Sequence, residues 1–283
     1  MQKKLKTIFT YIVYFFALIG LFLTLGYFAV KFGLTNEKGV IDAQREAFLK
    51  RGELVKKQTV KVETSTKISS KTWKDLEEWF VIKEALTKDV EVINRASAMA
   101  DISPRLLVAQ VVVEQLRLFT TNREIFKSFF APLKVLGNQT QFSWGIVGIK
   151  QETAIQVEEN LTNPTSPFYL GAQYEHLLDF STSNHDEERF MRITDEEDRY
   201  YAYLYAALHL KELLVQWKNA GYDISNKPEI VSTLFNIGFA HSKPNANPKS
   251  GGASIPIEGT EYSFGSLAKA FYDSSELLST FPR

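Results

Sequence analysis

The stretch LLVAQVVVEQLRLF, residues 106–119, decides how the fold of this sequence is interpreted. Just before it stand Ser103, a typical N-cap residue, and Pro104, which suits the first position of a helix. The stretch itself is apolar on nearly every helical face, which is typical of a buried helix. Three consecutive valines would also suit a β-strand, but the Ser-Pro start and the length favour a helix. We therefore expect a buried helix that begins at Pro104.

Glu114 is the unexpected residue in this helix, because it lies among valines and leucines. Burial in apolar surroundings disfavours the charged form of a carboxylate, and a general acid must hold its proton near neutral pH. Such a setting therefore makes a glutamate a candidate general acid. The alternative is a glutamate at the end of a core helix that reaches water or pairs with Arg117 or Arg105. Composition alone leaves both interpretations open.

Apolar residues recur at helical spacing from Trp73 onwards, and alternation of period two is almost absent. This pattern predicts an all-α domain. We expect a helix to start near Lys150, and Thr194 with Glu197 matches a capping box ahead of a long amphipathic helix. Further helices are expected within residues 71–100, 161–180, 227–239 and 266–278.

Three segments do not fit this helical pattern. Residues 119–142 are irregular and rich in phenylalanine, and the acidic stretch 186–198 is expected to be a solvated approach to the next helix. Residues 241–265 predict a long loop, with a small hairpin at IPIEGTEY, residues 255–262. Loops of this length inside a compact domain are often functional.

Composition excludes several classes of function. Lys and Arg together number 33, as do Asp and Glu, so no basic excess points to a nucleic-acid partner. Cysteine is absent, which excludes disulfides, thiol nucleophiles and thiolate metal sites. The four histidines share no metal-ligand spacing, and His209 lies on an apolar helix as a core residue would. No metal and no cofactor is expected, which leaves the carboxylates as candidates for chemistry.

The N-terminal residues predict a membrane anchor. A basic head, residues 1–7, precedes residues 8–30, which carry no charge and as a helix would cross a hydrocarbon core of about 30 Å. A cleavable signal peptide is the rival interpretation, but Lys31 and Phe32 follow the apolar run instead of small residues. The lysines of the head place the N-terminus in the cytoplasm and the rest of the chain, after the anchor, outside it.

The remainder of the chain divides into two predicted parts. Residues 31–72 are expected to form a polar stalk, because the stretch rich in Lys, Thr and Ser lacks apolar mass for a core. Residues 73–283 hold the helical domain. The expected organisation is therefore a basic head, a transmembrane anchor, a stalk and one all-α domain outside the cytoplasm.

Four blocks follow one another along residues 96–240. They read ASAMADISPRLLVAQVVVEQ (96–115), SWGIVGIKQETA (143–154), NPTSPFYLGAQYEHLL (163–178) and TLFNIGF (233–239). In this order they resemble the lysozyme-like lytic transglycosylase domain of the soluble lytic transglycosylases and goose-type lysozymes. In that family the first block is a helix that ends on the catalytic glutamate, and the third is also a helix. The resemblance implies the same fold for this domain.

The resemblance also implies an activity. That family cleaves the β-1,4 bond between N-acetylmuramic acid and N-acetylglucosamine in peptidoglycan and leaves 1,6-anhydro ends. Glu114 would be the single general acid and base, and the partners would be a glycan strand and, through residues 8–30, the membrane. The residues that the resemblance and the long loop suggest for substrate contact are Ser143, Gly145, Ile146, Val147, Gln115, Asn236 and Tyr262.

The sequence departs from the family pattern at three positions: Gln115 replaces a serine, Gly148 a glutamine and Phe235 a tyrosine. Two other functions therefore stay open. One is a hydrolase of the same bond, as in goose-type lysozyme. The other is a non-enzymatic module that binds glycan or assembles with envelope proteins. Glu152 is expected to be a solvated glutamate at a helix start, and Asp101, which precedes the helix cap, is expected to be structural.

Overall fold

The computed structural model describes residues 14, 20–22, 24, 25, 72–120, 143, 144, 146–195 and 197–283, with backbone only at 119, 120, 143 and 144. These ranges are mostly helical, which confirms the all-α class. The helices are α1 (Glu77–Lys88), α2 (Val90–Met99), α3 (Pro104–Thr120), α4 (Gln151–Thr162), α5 (His185–Thr194), α6 (Tyr200–Asn219), α7 (Pro228–Ile237) and α8 (Phe264–Asp273).

Most of the predicted anchor, the stalk up to residue 71 and the phenylalanine-rich segment from 121 to 142 lie outside the described residues. The described positions between 14 and 25 are helical. No helix in the described ranges combines the length and hydropathy needed to cross a bilayer by itself. The pair Val90–Met99 and Pro104–Leu118 meets that test only together, across a bend of 120°.

The first helices confirm the helical spacing after Trp73 but are interrupted at Asp89. This residue ends α1 and precedes α2, and its buried carboxylate accepts a hydrogen bond of 2.8 Å from the Tyr203 hydroxyl on α6. A 3-10 turn, Trp73–Asp75, leads into α1 and is capped by Thr72, whose backbone N–H donates to the Asp75 carboxylate. The domain therefore begins with two consecutive helices.

Helix α3 begins at Pro104, as predicted, and forms the centre of the core. Every residue from Arg105 to Leu118 is buried. The Ser103 carbonyl accepts hydrogen bonds from Leu106 N and Leu107 N. The predicted side-chain cap is absent, because the Ser103 hydroxyl is buried without a hydrogen-bond partner among the described residues.

Helix α6 is the second central helix, and it differs from the prediction in two respects. It is buried on most faces instead of amphipathic, and it begins at Tyr200, so the capping box at Thr194 and Glu197 was wrong. Thr194 ends α5 and donates its hydroxyl proton to the Phe190 carbonyl. Asp195 makes the turn instead, since its side chain accepts from the backbone N–H groups of Glu197 and Asp198.

The acidic stretch before α6 was predicted to be a solvated approach, but most of it is helix α5. Arg189 of this helix is buried and forms a two-point ion pair with Glu158 of α4, with N–O distances of 2.7 and 2.6 Å. The Tyr205 hydroxyl on α6 donates to the same carboxylate. This network joins α4, α5 and α6, which explains why a charged stretch folds against the core.

The third sequence block was predicted to contain a helix, and this was wrong. Residues 163–184 form turns, with one 3-10 helix at Ala172–Tyr174. Asn163 and Ser166 turn the chain through side-chain bonds to backbone N–H groups, and Gly171 has a φ of 108°. These local bonds compete with the regular hydrogen bonding of an α-helix.

Two short antiparallel hairpins complete the domain. Strands β1 (Ser143–Trp144) and β2 (Ile149–Lys150) flank a turn that follows α3 in sequence. Strands β3 (Ser254–Ile257) and β4 (Thr260–Ser263) confirm the small hairpin that was predicted in the long loop. Strand β3 packs against α3, and α8 packs against both α3 and α7.

Candidate functional site

Glu114 lies in the second half of α3, and its carboxylate is held by Arg117, one turn further along. Arg117 Nη2 lies 2.6 Å from Glu114 Oε1, and Arg117 Nε lies 3.0 Å from Oε2. Only 6% of the Glu114 side chain and 9% of the Arg117 side chain are exposed. The pairing with Arg117 that the sequence left open is therefore present, and it balances the charge of a buried carboxylate.

Arg105, the other partner considered from the sequence, serves a different purpose. Its guanidinium donates to five backbone carbonyls of the C-terminal segment, at 2.8–3.1 Å: those of Phe271, Tyr272, Ser274, Glu276 and Phe281. It is fully buried, and burial lowers its pKa. Arg105 therefore fastens the end of the chain to α3.

The turn between β1 and β2 lies directly on the Glu114 side chain. Gly148 in this turn has a φ of 69°, a conformation that favours glycine. A β-carbon at this position would lie 2.5 Å from Glu114 Oε1 and 2.7 Å from its carboxyl carbon. The absence of a side chain at Gly148 thus makes room for the Glu114 carboxyl group.

Gln115 attaches the same turn to α3. Its side-chain Nε2 donates to the Ile146 carbonyl at 2.6 Å, and both residues are fully buried. Helix and turn are therefore joined at two adjacent positions of α3, by contact at Glu114 and by a hydrogen bond at Gln115.

The other residues suggested around the turn have different environments. Ser143 pairs with Lys150 across the hairpin, and Gly145 lies outside the described residues. The side chains of Ile146 and Val147 are buried. Any glycan contact by these two residues would therefore involve their backbone.

Asn236 lies in the last turn of α7, and Tyr262 lies in β4, within the segment between α7 and α8. The Asn236 side chain accepts a hydrogen bond of 2.8 Å from Ala253 N of this segment. Tyr262 is half-buried in β4, opposite Ile255. Asn236 and Tyr262 thus each contact the segment between α7 and α8, whereas Gln115 donates a hydrogen bond to the β1–β2 turn.

The two other carboxylates considered from the sequence, Asp101 and Glu152, lie before α3 and in the first turn of α4. Asp101 has a φ of 52° and forms an ion pair of 2.6 Å with Lys211 of α6. Glu152 is exposed in the first turn of α4. His209 is a core residue, as predicted, in contact with the rings of Phe235 and Phe239 at centroid distances of 4.9 and 4.3 Å.

Glu212 is another buried carboxylate, which was not predicted from the sequence. It lies one turn after His209 on α6, and Asn160 donates to its Oε2 at 3.3 Å. Burial raises the pKa of Glu212 well above its usual value and lowers that of His209 to about 3. The signal that drew attention to Glu114, a carboxylate within an apolar helix, also occurs at Glu212.

Within the described part of the chain, no group of three carboxylate or imidazole side chains could hold a metal ion. Comparison of the chain with protein-family models, with curated proteins and with solved structures gave no match.

Proposed function

We propose that this protein is a membrane-anchored lytic transglycosylase of peptidoglycan, with Glu114 as its single general acid and base. The observation that supports this most directly is the position of Glu114. Its carboxyl group lies on a buried helix and against the β1–β2 turn, so the first and second sequence blocks meet at this residue.

The chemistry requires a carboxyl group that changes its protonation state twice. As acid, Glu114 would protonate the glycosidic oxygen while the muramic acid ring gains oxocarbenium character. As base, the resulting carboxylate would remove the proton from the 6-hydroxyl of the same sugar, which then closes onto the anomeric carbon. The bond forms within the sugar, so no water is consumed and the product is a 1,6-anhydro end.

Arg117 defines the resting state in this proposal. The Arg117 guanidinium forms an ion pair with Glu114 in the structure, whereas the first step transfers a proton from Glu114 to the glycosidic oxygen. Catalysis therefore requires the two side chains to separate when a glycan strand binds.

The anchor completes the proposal by placing the domain outside the cytoplasm, where peptidoglycan is found. Residues 8–30 carry no charge. The described apolar side chains in this range are helical and more than half exposed: Tyr14, Leu21, Phe22 and Leu25. Deletion of residues 1–30 should release the protein from the membrane fraction, and persistence of the shortened chain in the membrane pellet would contradict the anchor.

The decisive experiment uses the full chain in detergent, incubated with peptidoglycan, and mass spectrometry of the released fragments. Anhydro ends are the expected product, whereas reducing ends would show a hydrolase of the same bond. Glu114→Gln should lower the rate by about 10³-fold or more, since it removes the only proton donor. Glu212→Gln, at the other glutamate that is buried among the described residues, is the matched control and should retain activity.

The ion pair between Glu114 and Arg117 favours a second candidate function. A carboxylate held by an arginine suits a module that binds glycan or envelope proteins without cleaving them. In that case the wild-type protein would bind peptidoglycan but release no fragments, and Glu114→Gln would leave this binding unchanged. Release of anhydro fragments by the wild-type protein would exclude this alternative.

A further inference from the structure

We propose that Gln115 is a positioning residue, which fixes the β1–β2 turn against the Glu114 carboxyl group. The role rests on the proposed function, because Glu114 is the group that is positioned. It differs from the substrate contact that the sequence suggested for Gln115.

The side-chain amide of Gln115 connects α3 with the β1–β2 turn. Gln115 follows Glu114 directly on α3, and its fully buried side chain donates a hydrogen bond of 2.6 Å to the Ile146 carbonyl. Ile146 precedes Gly148 by two residues in the same turn. One amide group therefore sets the distance between the turn and the helix that carries Glu114.

Gly148 forms the turn side of the contact with Glu114. Gly148 approaches Glu114 so closely that a β-carbon would lie 2.5–2.9 Å from three of its side-chain atoms. A contact this tight leaves little freedom for the turn to shift without moving the carboxyl group. Gln115 and Gly148 therefore both constrain the Glu114 side chain. Gln115 holds the turn against α3, and Gly148 leaves space for the Glu114 carboxyl group.

Another buried glutamine of α3 has different hydrogen-bond partners. Gln110 lies on the same helix and is equally buried, but its side chain donates to the Leu106 carbonyl and to the Ser232 hydroxyl of α7. Both glutamine side chains donate hydrogen bonds to buried polar groups, as is usual in a protein interior. Gln115 differs in that its partner belongs to the turn at Glu114.

The test compares Gln115→Met with Gln110→Met in the full chain in detergent. Each change keeps the length of the side chain and removes the amide donor, so both should lower the melting temperature. Gln115→Met should lower kcat for release of anhydro fragments by about 10²-fold with little change in KM, because a small misplacement of a catalytic group has that effect. Gln110→Met should keep kcat within about threefold of wild type, because it does not displace the turn from Glu114.

A pair of glycine variants tests the contact between the turn and Glu114 without changing any side chain of α3. Gly148→Ala introduces the β-carbon against Glu114 and should also lower kcat. Gly221→Ala is its control, since Gly221 has a similar φ of 87° but open space around the position of a β-carbon. Equal loss of kcat in both members of either pair, or full kcat in Gln115→Met, would overturn the positioning role.

Hydrogen exchange separates this inference from the proposed function. If the wild-type protein releases no fragments, the proposed function fails, and exchange of the backbone amides at residues 146–150 then decides the role of Gln115. Faster exchange there in Gln115→Met but not in Gln110→Met would support the attachment of the turn. Equal exchange in the two variants would contradict it.

Discussion

At the scale of single residues, the pair of Glu114 and Arg117 shows the value and the limit of sequence reasoning. Their spacing of three residues on a predicted helix allowed the ion pair to be considered from the sequence. The contact of Gly148 with Glu114 could not be inferred in this way, because it depends on where a distant turn meets the helix. The glycine at position 148, where the pattern that the sequence resembles has a glutamine, thus acquires a physical reason only in the folded chain.

Arg117→Met is expected to lower the free energy of unfolding by about 3–5 kcal/mol, because it leaves a buried carboxylate without its charged partner. The double variant Glu114→Gln, Arg117→Met should recover most of this loss. Lys269→Met provides the control, since it breaks an exposed ion pair with Asp273 and should cost about 1 kcal/mol or less. Urea denaturation of the three variants measures these differences, and a small effect of Arg117→Met would show that the pair is weak.

At the scale of helices, the sequence predicted the first residues of helices more accurately than the turns between helices. Pro104 and Pro228 mark the beginnings of α3 and α7 because proline acts through local geometry alone. The capping box at Thr194 was wrong because the Asp195 side chain competes for the backbone N–H groups of the turn. The burial of Arg189 was not foreseen either, since its partner Glu158 is distant in sequence.

Arg105 joins α3 to the C-terminal segment, residues 271–281. Lysine has a single nitrogen and cannot reach five carbonyls at once, so Arg105→Lys should lower the free energy of unfolding by about 3 kcal/mol or more. Amide exchange within residues 271–281 should accelerate as well.

Arg95→Lys is the control for this change. Arg95 is exposed and lies over the Tyr200 ring, so its replacement should cost about 1 kcal/mol or less. Similar destabilisation by the two lysine variants would mean that the five hydrogen bonds contribute little to stability.

At the scale of the whole molecule, the core contains two titratable groups with opposite effects on stability. His209 and Glu212 lie one turn apart on α6, and both are buried. Both imidazole nitrogens of His209 and Glu212 Oε1 have no hydrogen-bond partner among the described residues. Each group therefore stays in its neutral form in the native protein over a range of pH in which the unfolded chain is charged.

His209 makes the protein less stable in acid. Its pKa is about 3 in the native protein, against 6.5 in the unfolded chain, so the unfolded state binds more protons between these values. Stability should therefore fall as the pH decreases from about 6.5 to about 3, by a few kcal/mol for this group. His209→Leu, with a side chain of similar size, should reduce the loss measured by urea denaturation at pH 7 and pH 4.5. An unchanged difference between the two pH values would contradict a neutral, buried His209.

Glu212 has the opposite effect on the pH dependence of stability. Its native pKa lies well above the unfolded value of 4.5, so above pH 4.5 the native state holds a proton that the unfolded chain releases. Stability should therefore fall as the pH rises towards the native pKa. Glu212→Gln removes the titration and keeps an oxygen that can accept from Asn160. Its gain over wild type should grow as the pH rises above 4.5. Between pH 4.5 and 6.5 the two groups oppose each other, so Glu212→Gln should steepen the rise of stability with pH while His209→Leu flattens it. Parallel curves for both variants would mean that neither group is held neutral by the core.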